Sequence, residues 1–156
     1  MMQHLVESGF NRFIRPNAVG PNDGLQTTAY TNLFGAQMAY IYVFVAEGDV
    51  ANFTLRVMET DGTTPQALAN GAQIWHNDDV SAADQPERQA NGATLVVTGS
   101  TDDKYTIFAV DPARLSDNYH SIALQVDTTP GNAVGANQAI SAHLVVLPAR
   151  YKGPRT

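Results

Sequence analysis

The residues from which metal or acid–base chemistry would have to be built are few. Four histidines, His4, His76, His120 and His143, are scattered along the chain, and none stands in an HxH or HExxH spacing. The most ligand-like cluster is HNDD, residues 76–79. Calcium would want more oxygen ligands wrapped around a tight turn, as in DxDxDG, and that pattern is missing, so a polar loop is the simpler reading. Cysteine is absent, which removes thiol nucleophiles, thiolate metal sites and disulfides together. Ser8 and Ser141 lie in no GxSxG, and there is neither a P-loop nor a GxGxxG. Acids such as Asp61 and Asp102 fall in expected turns, with no acid–base pair that the spacing singles out for glycoside hydrolysis. The expectation is a protein without catalysis, cofactor or metal. An aromatic set, Tyr40, Tyr42, Phe44 and Trp75, could line a sugar groove. Its alternate spacing on one strand assigns it to the core instead.

The rest of the composition narrows the class. A chain of 156 residues with 44% hydrophobic and 15% charged residues fits one folded domain with a single core. No apolar run reaches about 18 residues, so no membrane span is expected, and the first residues show no secretory signal pattern. A net charge of −6 argues against bulk nucleic-acid binding. The charge is unevenly placed. Arg12 and Arg15 lie near the start and Arg150, Lys152 and Arg155 near the end, around an acidic middle. Basic ends are either solvated or reach an acidic partner surface.

Most of the elements that must position these residues read as strands. Residues 1–24 carry no strand pattern and break into Pro and Gly. They are expected to form an arm, in which Phe10, Phe13 and Ile14 pack on the domain or on a neighbour because each gains about 1.5–3 kcal/mol on burial. TAYTNLF is a candidate first strand. QMAYIYVFVA is apolar on both faces and reads as a central strand buried on both sides. EGDVAN then turns the chain into FTLRVMET, with Phe53, Leu55 and Val57 facing in and Thr54, Arg56 and Met58 out, which makes the pair a hairpin. Residues 64–92 read as a long polar insert with room for two helical turns. ATLVVTG, KYTIFAV, YHSIALQVD and AISAHLVVLPA supply further strands. DPARLSD makes one helical turn, with Asp111 as cap and Pro112 at its first position. Seven or eight short strands with no long helix define an all-β fold: a β-sandwich or jelly-roll-like domain over 25–150, an arm over 1–24 and a basic tail over 151–156.

The order of these segments resembles a group of small β-rich virion proteins of tailed bacteriophages. The likeness rests on LFGAQMAYIYVFVAEG with its G-x-x-x-A lead-in, on FTLRVMETDGTT, DKYTIFAVDPARL and YHSIALQVDTT, and on a last strand closing in LPARY. It spans roughly 27–151. The chain departs from the pattern in ETDGTT, where the group has a fuller acidic turn, and in the length of the 64–92 insert. The resemblance implies a structural virion component, most like a capsid decoration (cement) protein. Such proteins sit on the capsid exterior, commonly as homotrimers, clamp neighbouring major capsid protein subunits and have no active site. A protein of this kind is made in the host cytoplasm. The partner-binding residues expected on that reading are Phe10, Arg12, Phe13, Ile14 and Arg15 of the arm and Arg150, Tyr151, Lys152 and Arg155 of the tail. Two other expectations stay open: a head–tail connector or tail component, and a carbohydrate-binding jelly-roll module presenting Trp75 beside His76 and Asp78.

Overall fold

The computed structural model describes residues 10–14, 25–46, 52–83, 85–127 and 139–149, with the backbone path alone for 10–14 and 139. Among these the protein is an all-β sandwich of two antiparallel sheets, and the only helical element is one 3-10 turn at Pro112–Arg114. The strands are β1 (Phe10–Ile14), β2 (Leu25–Thr27), β3 (Thr31–Asn32), β4 (Ala36–Ala46), β5 (Phe53–Thr60), β6 (Pro65–Ala67), β7 (Ala72–Asn77), β8 (Glu87–Gly92), β9 (Thr94–Val97), β10 (Lys104–Val110), β11 (Ser121–Asp127) and β12 (Ala139–Pro148). The first sheet runs β1-β12-β4-β10-β7-β8. The second runs β2-β11-β5-β6, with β3 also on β11 and β9 also on β5.

Strict alternation builds the core. Ala39, Ile41, Val43 and Val45 of β4 are fully buried and meet Phe53, Leu55 and Val57 of β5, Ile122, Leu124 and Val126 of β11, Phe108 of β10 and Leu144 of β12. β-branched and aromatic side chains of this kind suit a pleated surface packed on one face. Asp111 caps the 3-10 turn as its sequence predicts, its carboxylate accepting the Ala113 N–H at 2.9 Å.

Four expectations are corrected. β4 is central in its sheet, between β12 and β10, but it is buried on one face only. Tyr40 and Tyr42 are half-buried and Phe44 is exposed, so the aromatic residues assigned to the core lie on the outer face. β4 and β5 are not a hairpin, because they lie in opposite sheets. The insert 64–92 holds three strands, β6, β7 and β8, and no helix among its described residues. β6 and β8 are edge strands of largely exposed residues and β7 is a short strand between β8 and β10, none of which a search for long apolar runs picks out. Finally, residues 10–14 do form a strand, pairing along the edge of β12 from Phe10↔Val146 to Ile14↔Ala142.

Candidate functional site

The outer face of the first sheet carries the aromatic residues. β4 presents Tyr40, Tyr42 and Phe44; β10 presents Tyr105 and Ile107; β7 presents Trp75. The register brings them side by side, with Phe44 opposite Tyr105, Tyr42 opposite Ile107, and Ile107 opposite Trp75. Tyr40 and Tyr42 stack with centroids 6.3 Å apart, and Tyr42 and Tyr105 do the same at 6.3 Å. Burial pushes the Tyr42 and Tyr105 phenols above their ordinary value. The neighbouring Tyr40 adds to the effect at Tyr42, and Tyr42 adds to it at Tyr105. The rings therefore form a packed ridge that stands on the sheet face. Toward the β12 edge Tyr42 lies opposite His143, and the backbone of Phe13 lies beyond His143.

Trp75 sits at the other side of this face, half-buried, with one face of its ring capped by Arg88. The Arg88 guanidinium lies 5.0 Å from its centroid and is held by the Ile74 and Gln89 carbonyls and by Asn91. Its chain neighbour His76 points the opposite way, into the sandwich. There one His76 ring nitrogen meets the Thr106 hydroxyl at 2.9 Å and the other meets the Asp78 carboxylate at 2.7 Å. This Thr–His–Asp chain has the outline of a nucleophile relay, but Thr106 is fully buried and no substrate reaches it. Lys104, 2% exposed, closes the same end, donating to the Asp78 carbonyl and the Ser100 hydroxyl, each at 2.8 Å. Trp75, His76 and Asp78 thus do not converge on one surface. Among the described residues no group of three or more His, Cys, Asp or Glu side chains could hold a metal ion.

The opposite end of the sandwich carries a second feature that the sequence reading missed. Phe34, at the tip of the turn between β3 and β4, is 87% exposed. The turn is fixed by the Asn32 side chain accepting the Phe34 N–H at 2.7 Å and by Gly35 at φ +74°. Beside it is a notch of about 180 Å³ lined by Leu33, Pro112, Leu115, Tyr119 and His120. The signal in the sequence was NLFG, an apolar residue at a turn position, which the reading absorbed into a strand.

The predicted partner-binding residues divide. Phe10, Arg12, Phe13 and Ile14 lie on β1, at the edge of the first sheet. Arg15, Arg150, Tyr151, Lys152 and Arg155 lie outside the described residues. The two terminal segments share one sheet edge and one end: Phe10 opens β1 opposite Val146, and Ala149 donates its N–H to the Gly35 carbonyl at 3.0 Å.

No protein-family model matches this sequence, and no curated protein matches it. Among solved structures the chain is similar to the SPBc2 prophage-derived protein YomS, at 9% identity and a TM-score of 0.48, covering 88% of this chain and 92% of that one. It is also similar to the tobacco streak virus coat protein dimer, at 10% identity and a TM-score of 0.37 over 96% and 92% of the two chains. A third similar structure is TmCBM27, a carbohydrate-binding module studied for mannan recognition, at 9% identity and a TM-score of 0.37 over 94% and 91%. Likeness at this level assigns neither a family nor a function.

Proposed function

We propose that the chain is a structural protein of a tailed-phage virion that decorates the capsid exterior. It binds there as a homotrimer and clamps neighbouring major capsid protein subunits without catalysis. The observation that carries this reading is the outer face of the first sheet. A rigid ridge of Tyr40, Tyr42 and Tyr105, with Phe44 exposed beside it, stands on central strands and runs toward the β1–β12 edge. Tyrosine ridges supply contact area at low entropic cost, and aromatic residues and Arg anchor protein interfaces. The resemblance of the strand order to phage decoration proteins points to the same class of partner. Many copies on one shell would bind by avidity, so each contact can be modest.

The ring geometry favours a protein partner over a glycan. A sugar ring packs on an open aromatic face, whereas one face of the Trp75 ring is capped by Arg88 and the tyrosine rings face one another.

The test is binding to purified shells of the parent phage that lack this protein. Wild type is expected to fill its sites and raise the temperature at which shells disrupt. Tyr42→Ala with Phe44→Ser is expected to lower occupancy at least tenfold while the domain stays folded. Equal occupancy by the double variant overturns the role of this face. A stable hexamer or dodecamer in solution favours the connector or tail assignment instead.

A further inference from the structure

The outer face of the first sheet differs in charge from the chain that carries it. The chain has 15 Asp and Glu against 9 Lys and Arg. Yet among the described residues the outward positions of β12, β4, β10, β7 and β8 hold no Asp or Glu. Glu87 of β8 belongs to the other phase, opposite His76, which points into the sandwich. One row of the register shows the pattern. His143, Tyr42, Ile107, Trp75 and Arg88 lie side by side across the sheet. Its centre is apolar, and the two ends are the side chains that can carry positive charge.

Arg88 is the fixed charge of this face. It is exposed, and its guanidinium lies 5.0 Å from the Trp75 centroid. Nη1 donates to the Ile74 and Gln89 carbonyls, and Nη2 donates to the Asn91 side-chain oxygen. All three acceptors are neutral, and among the described residues Arg88 forms no ion pair. A guanidinium has five N–H groups, so these bonds leave the Nε–H and one N–H of Nη2 for another acceptor. The side chain is thus held in place while its charge stays unmatched. A cation already ordered in this way loses little further freedom on pairing, and its fork suits a carboxylate.

We propose that the partner on this face is an apolar protein surface with a carboxylate at its rim, which pairs with Arg88 while the apolar part covers Tyr42, Phe44 and Ile107. The inference rests on the reading that this face binds the shell, and it names the chemistry of the surface met there. A polyanion such as nucleic acid would want clustered cations, and this row offers one permanent charge. A second copy docked face to face brings no acid from its own matching positions, so the carboxylate belongs to a different surface, that of the capsid subunit.

The experiment titrates the full chain onto purified shells that lack it, at low and at high salt. Wild-type binding is expected to weaken as salt rises. Arg88→Met keeps an apolar stem on Trp75 and removes the charge. It is expected to bind about tenfold more weakly at low salt, with the gap closing at high salt. Asn91→Asp sets a carboxylate beside the guanidinium within the chain. It is expected to weaken shell binding in the same way, while the emission of Trp75, the only tryptophan, stays as in wild type because Arg88 still caps it. If Arg88 served only to steady Trp75, Asn91→Asp would bind as well as wild type, and that result overturns the proposal. Equal binding by Arg88→Met, or a deficit that persists at high salt, overturns it too. A change in the sedimentation of free Arg88→Met also overturns it, because the face then joins copies of this chain. Normal binding by Arg88→Met beside lost binding by Tyr42→Ala with Phe44→Ser sinks the carboxylate and leaves the face its role. Failure of wild type to bind shells sinks the capsid role and this contact with it.

Discussion

At the scale of single residues, Glu59 shows most clearly how sequence phase and tertiary structure combine. The inward phase of β5, Phe53, Leu55, Val57, continues to Glu59, which is 0% exposed. Its carboxylate accepts from the Gln66 amide at 2.7 Å, from the Ser116 hydroxyl and from the Ser116 N–H at 3.2 Å. The alternation was legible; the partners were not, because Ser116 lies 57 residues away and a lone Ser in a turn carries no signal. Glu59→Ala is expected to lower stability by about 1–3 kcal/mol for each buried donor left bare, read from the urea midpoint. The tyrosines make a pH prediction. Their folded pKa values are raised, so their contribution is complete below the unfolded value near 10 and is lost as pH rises through the folded values. The alkaline limb should therefore be later in Tyr42→Phe than in wild type, in a denaturation series at rising pH. The opposite sign holds at Asp61 and Asp79. The Thr64 and Thr63 N–H groups depress the first, and the Ser81 hydroxyl and the Ser81 and Ala82 N–H groups depress the second. Their contribution is present above about pH 4 and is lost as pH falls through the lowered values.

At the scale of elements, existence was easier to read than partnership. β4, β5, β10, β11 and β12 all stand where apolar alternation placed strands. What alternation could not say is which sheet each joins. A six-residue connection such as EGDVAN suits a hairpin or a step to the opposite sheet equally well, so β4 and β5 were paired by mistake. Which face of β4 meets water was decided by chemistry that was present in the sequence: three of its outer side chains are aromatic and two carry a hydroxyl that wants a partner, whereas the inner ones are Ala, Ile and Val. One turn makes a sharp test. Gly71 has φ +66°, and a Cβ there would lie 3.1 Å from the Gly92 backbone. Gly71→Ala is expected to cost at least about 1–2 kcal/mol, measured by urea denaturation, because the left-handed conformation and the close approach both exclude a side chain. β1 makes another. Removing 1–15 takes β1 away and uncovers the β12 edge, which is expected to promote aggregation seen by light scattering.

At the scale of the whole molecule, fold class and overall acidity followed from composition and pattern, while the surfaces did not. Sequence reasoning placed the working parts in the arm and the tail. The structure adds a tyrosine ridge on one face and a mainly apolar notch beside the exposed Phe34 at one end. Both arise from residues far apart in the chain that only sheet register brings together.

The sandwich is also stoppered at both ends by buried polar side chains, Glu59 where β5 finishes and Lys104 where β10 begins. A strand that slips by one residue turns its apolar face to water and is rejected at once. A slip of two keeps every face correct and would pass that check. Here it would drag a carboxylate or an ammonium group one step into the oily interior, away from Ser116 and Gln66 or from Ser100 and Asp78. The two stoppers act as keys against even-numbered misalignment, the error that hydrophobic patterning alone leaves open during folding.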